Sequence, residues 1–179
     1  ESVLVANRGQ NACRIIRTLC LMGIRSLAVY SDADRDAPHV HLADEAVRLG
    51  AAPAAQSYLG VGAVVGAAVA ASASAVHPGY GFLSESPALA RACAEAGIVL
   101  VGPGLRALEV MGDKMRAKAH VAEYGVPIIP GAGEPGMSDE QLLAAAEGVG
   151  VPLIVKPSAG GGGKGMTVVR DLDELPAAL

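Results

Sequence analysis

Apolar residues along the chain fall into short continuous runs, separated by stretches where they recur every three or four positions. Residues 2–6 form a run of the kind made by a strand buried on both faces. After the turn Asn7-Arg8-Gly9, apolar side chains return at Ala12, Ile15, Ile16, Leu19 and Cys20, a helical spacing that Gly23 ends, and residues 26–30 supply a second strand. The stretch 32–41 is polar and turn-like. Residues 45–49 then read as a short strand, 61–71 as a helix of small residues and 73–76 as a buried strand. Ser86 is placed to cap a helix with Pro87 at its first position and a body over 88–96, and residues 98–101 form the next strand, closed by Gly102-Pro103. Strand and helix in alternation predict an α/β fold: a doubly wound, mostly parallel sheet of about 110 residues, Rossmann-like in plan.

The pattern changes after the short helix expected at 105–111. Gly112-Asp113 interrupts it, and Lys114 opens a helix that runs to Tyr124 and ends at Gly125. A lysine at a helix start opposes the helix dipole unless negative charge lies close by. Either Asp113, acting as a cap, or a bound phosphate supplies that charge. Ser138 with Gln141 predicts a capping box for a helix to 147, and Asp171 with Glu174 predicts another. The chain stops inside that last helix, which reads as a domain cut short.

Between these boxes two strand-like runs, 153–156 and 166–169, flank a loop with five glycines at 160–163 and 165. Ordering glycines is entropically costly, so a run of them is expected where backbone must approach a ligand, or in a floppy linker. The immediate return to apolar residues favours a hinged flap, and Lys156 and Lys164 favour an anionic ligand beneath it. This is not a P-loop. The pattern G-x-x-x-x-G-K-[ST] requires glycine at 158 and a hydroxyl residue at 165, where the chain has Ser158 and Gly165, and a strand rather than a helix follows.

Composition narrows the function further. With 51% apolar and 18% charged residues the chain can bury a core, and a net charge of −4 with no basic cluster and few aromatics argues against nucleic-acid binding. No apolar run reaches the length of a membrane span. Cys13, Cys20 and Cys93 lack metal-type spacing and lie in apolar helical segments, so they are expected as buried reduced thiols in a cytoplasmic protein. His39 and His41 alternate without a third ligand, and solvated loop histidines are expected. Asp32 and Asp34 lie where a dinucleotide fold places a ribose-binding carboxylate, but the first turn carries only Gly9 where G-x-G-x-x-G is needed, so nicotinamide binding is a minor alternative.

Several motifs together resemble one family. Val5-Ala-Asn-Arg-Gly9, Tyr30-Ser-Asp-Ala-Asp-Arg-Asp36, Leu42-Ala-Asp-Glu45, His77-Pro-Gly-Tyr-Gly-Phe-Leu-Ser-Glu85, Met111-Gly-Asp-Lys114 and the stretch 156–166 are similar, in order and over essentially the whole chain, to biotin carboxylase. The amino-terminal part of a biotin-dependent acyl-CoA carboxylase α subunit is the best match. The glycine flap alone would indicate only the ATP-grasp superfamily.

The resemblance implies a pre-ATP-grasp domain at 1–112 and the beginning of an ATP-grasp domain at 113–179. It implies ATP-dependent carboxylation of carrier-bound biotin by bicarbonate through carboxyphosphate. Lys114, Lys156, Gly162, Gly163, Lys164 and Met166 would contact ATP, and Tyr80 and Glu85 would border biotin and bicarbonate. It places the Mg2+ ligands, the bicarbonate-binding arginine and the catalytic base beyond residue 179, so no catalytic or metal-ligating residue is expected here and the segment alone is expected to be inactive. Implied partners are a biotin carboxyl carrier domain, a carboxyltransferase subunit that chooses the acyl-CoA, and a second copy in a homodimer or larger assembly. Arg14 and Arg17 lie near that interface or are simply solvent-exposed. Two competing readings are another ATP-grasp ligase, such as a carbamoyl-phosphate type, and a non-catalytic interface fragment. The family usually has Glu-Ile after Asn-Arg-Gly, where this chain has Gln10-Asn11.

Overall fold

Val3 and Val5 face one way from the first strand and Leu4 the other, and all three are buried. A strand so covered must lie inside a sheet with a layer on each face. The computed structural model, which describes residues 1–112, 114–133, 136–157 and 165–179, shows this arrangement. Strands β1 (Ser2–Val5), β2 (Arg25–Ser31), β3 (Glu45–Gly50), β4 (Ala75–His77) and β5 (Val99–Leu100) form a parallel sheet in the order β3-β2-β1-β4-β5. Helices α1 (Gly9–Leu21) and α2 (Pro38–Leu42) follow β1 and β2, while α3 (Val61–Ala70) and α4 (Pro87–Glu95) flank β4.

Alternating strand residues feed two cores. Leu4, Leu27, Val29 and Val76 pack with Val64, Ala68, Leu89 and Cys93 from α3 and α4. Val3, Val5 and Ala28 pack with Ala12, Ile15, Ile16 and Leu19 of α1. The sheet is therefore doubly wound, as its pattern predicts. Ser86 caps α4, its Oγ accepting from the Leu89 amide at 3.3 Å.

The chain divides into two units, residues 1–109 and 110–179. The second contains the end of α5 (Leu105–Met111), α6 (Lys114–Glu123), α7 (Asp139–Val149), the antiparallel pair β6 (Leu153–Val155) and β7 (Thr167–Val169), and the short α8 (Leu175–Ala178). Ala146, Val169 and Leu175 form its core. The expected box at α7 is present: the Gln141 amide donates to Ser138 Oγ at 3.3 Å, and the Ser138 amide donates to Gln141 Oε1 at 2.9 Å.

Several expectations need correction. The stretch 32–41 is not merely turn-like: a 3-10 turn at Asp32–Asp34 leads to α2, which Pro38 starts. His39 is fully buried rather than solvated, because α2 turns it beneath β2. Cys13 and Cys93 are buried but Cys20 is exposed, since it lies outside the stripe that α1 presents to the sheet. The second capping box is displaced by a residue. Asp171 Oδ1 accepts from the amide of Asp173, and Glu174 Oε2 accepts from that of Arg170, so the motif opens a 3-10 turn before α8. Asp113 lies outside the described residues.

Candidate functional site

Parallel strands end together, so the loops leaving their carboxyl ends gather at one edge of the sheet. In the first unit the loops that follow β1, β2 and β4 carry the residues of interest. Asn7, just past β1 and buried, donates through Nδ2 to the carbonyls of Pro78 and Tyr80, each at 2.8 Å, while its Oδ1 accepts from the Arg8 amide at 2.9 Å. Both amide donors and the acceptor of this side chain are thereby engaged. Gly79 sits in the left-handed region, φ +66°, and a Cβ there would meet Asn11 Nδ2 at 2.4 Å and Asn7 Nδ2 at 2.9 Å. Glycine is required at that position on both counts.

The loop after β4 is also tied to itself and to its neighbours. His77 Nδ1 accepts from the Gly79 amide at 3.0 Å, so this nitrogen carries no proton. Burial, helped by the nearby Arg14 charge, holds the His77 pKa below its ordinary value. Phe82 adopts φ +44° and stacks on Tyr58, with ring centroids 5.0 Å apart. The Arg8 guanidinium lies 5.3 Å from the Tyr58 centroid and 5.5 Å from that of Phe82.

One oxygen of Asp34 gathers the same cluster from the end of β2. Asp34 Oδ2 accepts from Ser31 Oγ at 2.7 Å, from the Tyr58 hydroxyl at 2.8 Å and from Arg8 Nη1 at 3.1 Å. Partial burial works to raise the Asp34 pKa, but these hydrogen bonds outweigh it and the net shift is downward. Burial and the Asp34 bond push the Tyr58 hydroxyl up to about 12. Asp32 makes a bidentate pair with Arg48, with Nε–Oδ1 at 2.7 Å. Both aspartates suggested as ribose partners are thus committed to protein donors. His39 lies nearby, its Nε2 3.2 Å from the Val29 carbonyl and its Nδ1 buried without a hydrogen-bond partner among the described residues.

Tyr80 and Glu85 extend from this clamped loop into solvent, with Tyr80 73% exposed. In the second unit, Lys114 is the first residue of α6, and Lys156 follows β6 with its side chain exposed. The register pairing Val155 with Thr167 brings the positions of Lys156 and Met166 to the same end of the hairpin. Gly165 has φ +71° and turns the chain into Met166. Gly162, Gly163 and Lys164 lie outside the described residues. Among the described residues, no group of three His, Cys, Asp or Glu side chains is placed to hold a metal ion. None of the described helices is long and apolar enough to cross a membrane.

Sequence reasoning missed the Arg8–Asp34–Tyr58–Phe82 cluster and the Asn7 clamp. The available signal was slight. Phe82 is the only phenylalanine in the chain, and Tyr58 an isolated aromatic in an alanine-rich stretch.

Known proteins resemble this chain over most of its length. Residues 1–108 match the family model described as biotin carboxylase, N-terminal domain. The chain belongs to the biotin carboxylase family. Residues 113–179 match the carbamoyl-phosphate synthase L chain, ATP binding domain. The mitochondrial methylcrotonoyl-CoA carboxylase subunit alpha of Glycine max is 49% identical over 98% of this chain and 24% of its own length. The biotin carboxylase of Pseudomonas aeruginosa is 48% identical over 98% of this chain and 39% of its own. The chain therefore spans about a quarter to two fifths of the curated relatives it matches.

Among solved structures, the Campylobacter jejuni biotin carboxylase in its beta-gamma-ATP complex has a TM-score of 0.92 at 42% identity, covering 99% of this chain and 40% of that one. The biotin carboxylase domain dimer of Hydrogenobacter thermophilus 2-oxoglutarate carboxylase, in complex with MgADP, ADP and bicarbonate, has the same score and identity, covering 97% and 38%.

Proposed function

We propose that this chain is the amino-terminal part of the biotin carboxylase component of a biotin-dependent carboxylase, whose reaction is the ATP-dependent carboxylation of carrier-bound biotin by bicarbonate. The observation that carries this reading is the likeness, over 97–99% of the chain, to biotin carboxylases solved with a nucleotide, one of them also with bicarbonate. On this reading residues 1–112 are the pre-ATP-grasp domain and 113–179 open the ATP-grasp domain.

Lys114, Lys156, Gly162, Gly163, Lys164 and Met166 bind ATP. In support, Lys156 is exposed at the end of β6, and Ile154 and Val168, opposite each other in register, leave an apolar surface on the same strand pair. A cation beside an apolar face suits a nucleotide, with phosphates at one end and a base at the other. When bound, ATP supplies the phosphoryl group that activates bicarbonate. The chain's own part is to hold the phosphates by charge and to exclude water beneath the flap. Tyr80 and Glu85 border biotin and bicarbonate. The described residues do not fit Mg2+, for want of gathered carboxylates, and no step is assigned to it through them.

A biotin carboxyl carrier domain, a carboxyltransferase and a second copy of the chain are the proposed partners. We place the protein in the cytoplasm. Its three free cysteines support a reducing compartment, although the plant and mammalian relatives are mitochondrial by name.

The test is bicarbonate-dependent ADP release with free biotin, in the full-length protein. Biotin-stimulated turnover is expected. Biotin-independent turnover stimulated by an amine would instead favour a carbamoyl-phosphate type of ligase, and no turnover would favour a non-catalytic module. Within the same protein, Lys156→Ala should raise the KM for ATP or lower kcat by ~10-fold or more, the scale of a lost charged contact. Unchanged ATP kinetics would remove Lys156 from the site.

A further inference from the structure

We infer that Asn7 and His77 are positioning residues for Tyr80: together they fix the backbone of the 77–82 loop so that the exposed Tyr80 ring is presented in one orientation. The inference rests on the proposed function, in which Tyr80 borders biotin.

The loop is one that should wander if left alone. It contains two glycines, Gly79 and Gly81, at φ +66° and +68°, and Phe82 at φ +44°, a region that L side chains rarely adopt. Three ties from different parts of the fold hold it. The Asn7 amide bridges the carbonyls of Pro78 and Tyr80, one on each side of Gly79. The His77 ring caps the Gly79 amide from within the loop. Phe82 closes the far end against Tyr58 and Arg8.

None of these ties touches the Tyr80 ring, which stays in solvent while its own carbonyl is clamped from the sheet edge. A fixed backbone beneath an exposed ring is the arrangement expected of a contact organised before its ligand arrives. Asn7 is suited to this because it belongs to the rigid end of β1 and is buried, so the reference point does not move with the loop.

The experiment uses the full-length carboxylase and free biotin. It compares kcat/KM for biotin with the KM for ATP. Asn7→Ala and His77→Leu are expected to lower kcat/KM for biotin by about 10-fold or more, the scale of a small misplacement of a binding group, and to leave the KM for ATP nearly unchanged. His77→Asn, which keeps an acceptor near the Nδ1 position, should recover most of the loss. In a Tyr80→Ala background, Asn7→Ala should cost little more, since its effect acts through Tyr80.

If Tyr80→Ala impairs biotin turnover but Asn7→Ala and His77→Leu do not, the inference falls and the proposed function stands. Additive losses, or an equal rise in the KM for ATP, would also overturn it. If Tyr80→Ala has no effect on biotin turnover, the assignment of this loop to biotin falls, and the inference with it. Should Asn7→Ala fail to fold, the contrast between His77→Asn and His77→Leu decides.

Discussion

His39 is the residue whose burial has the clearest solution consequence. Burial, the dominant influence, lowers its pKa below the ordinary value of 6.5, despite the Val29 carbonyl and the Asp34 charge, which act the other way; Arg8 adds to the lowering. The unfolded chain therefore takes up a proton at about 6.5 that the folded chain resists. The stability contributed by neutral His39 is complete above that pH and is lost as pH falls toward the folded value. Resistance to urea should decline from pH 7 to pH 5, with the decline reduced in His39→Gln. A flat profile over that window would contradict the assignment. Asp34 does not confuse the measurement, because its pKa is held below 3.8. Asn11 invites a second test. Its Nδ2 is buried without a partner among the described residues, so Asn11→Leu should stabilise the fold to denaturant by about 1 kcal/mol, the lower end of the cost of an unpaired buried donor.

Among the elements, α7 depends most visibly on its ends. Ser138→Ala removes the cap that the Gln141 amide uses and should cost about 1 kcal/mol, read as reduced helicity or stability of the second unit. That cap was legible in the sequence, as were β1, β2, α1, α4 and the strands around the glycine loop, because each rests on periodicity and end signals within about a dozen residues. What escaped depends on contacts between distant segments. β4 begins at Ala75 rather than Ala73, because the Ala73 amide instead closes the end of α3 on the Ala68 carbonyl. His39 looked solvated because its neighbours are polar, and only the packing of α2 beneath β2 encloses it. Asn7 lies 71 residues from Pro78, and no local pattern announces an amide that must satisfy two carbonyls across that gap. The lysines and glycines of the flap were visible as residue types; which of them meet a nucleotide is a matter of proposal.

At the scale of the molecule, the two units are unequally furnished. The first buries two extensive clusters on either face of a five-stranded sheet, whereas three buried residues anchor the second among those described. Local stability follows buried contacts, so backbone amides of β1, β2 and α1 should exchange with deuterium far more slowly than those of α6, β6 and β7. Equal protection across both units would show that the second draws stability from interactions beyond its own core. The position of β1 has a further consequence, for biosynthesis. This strand is central in the sheet, yet one of its two neighbours, β4, is about 70 residues later in the chain. At ribosomal speeds of roughly 5–20 residues per second, one edge of an apolar strand stays unpaired for about 4–14 s after β1 is made. During that interval the nascent chain presents a sticky edge, and chaperone capture or mispairing competes with the arrival of its proper partner.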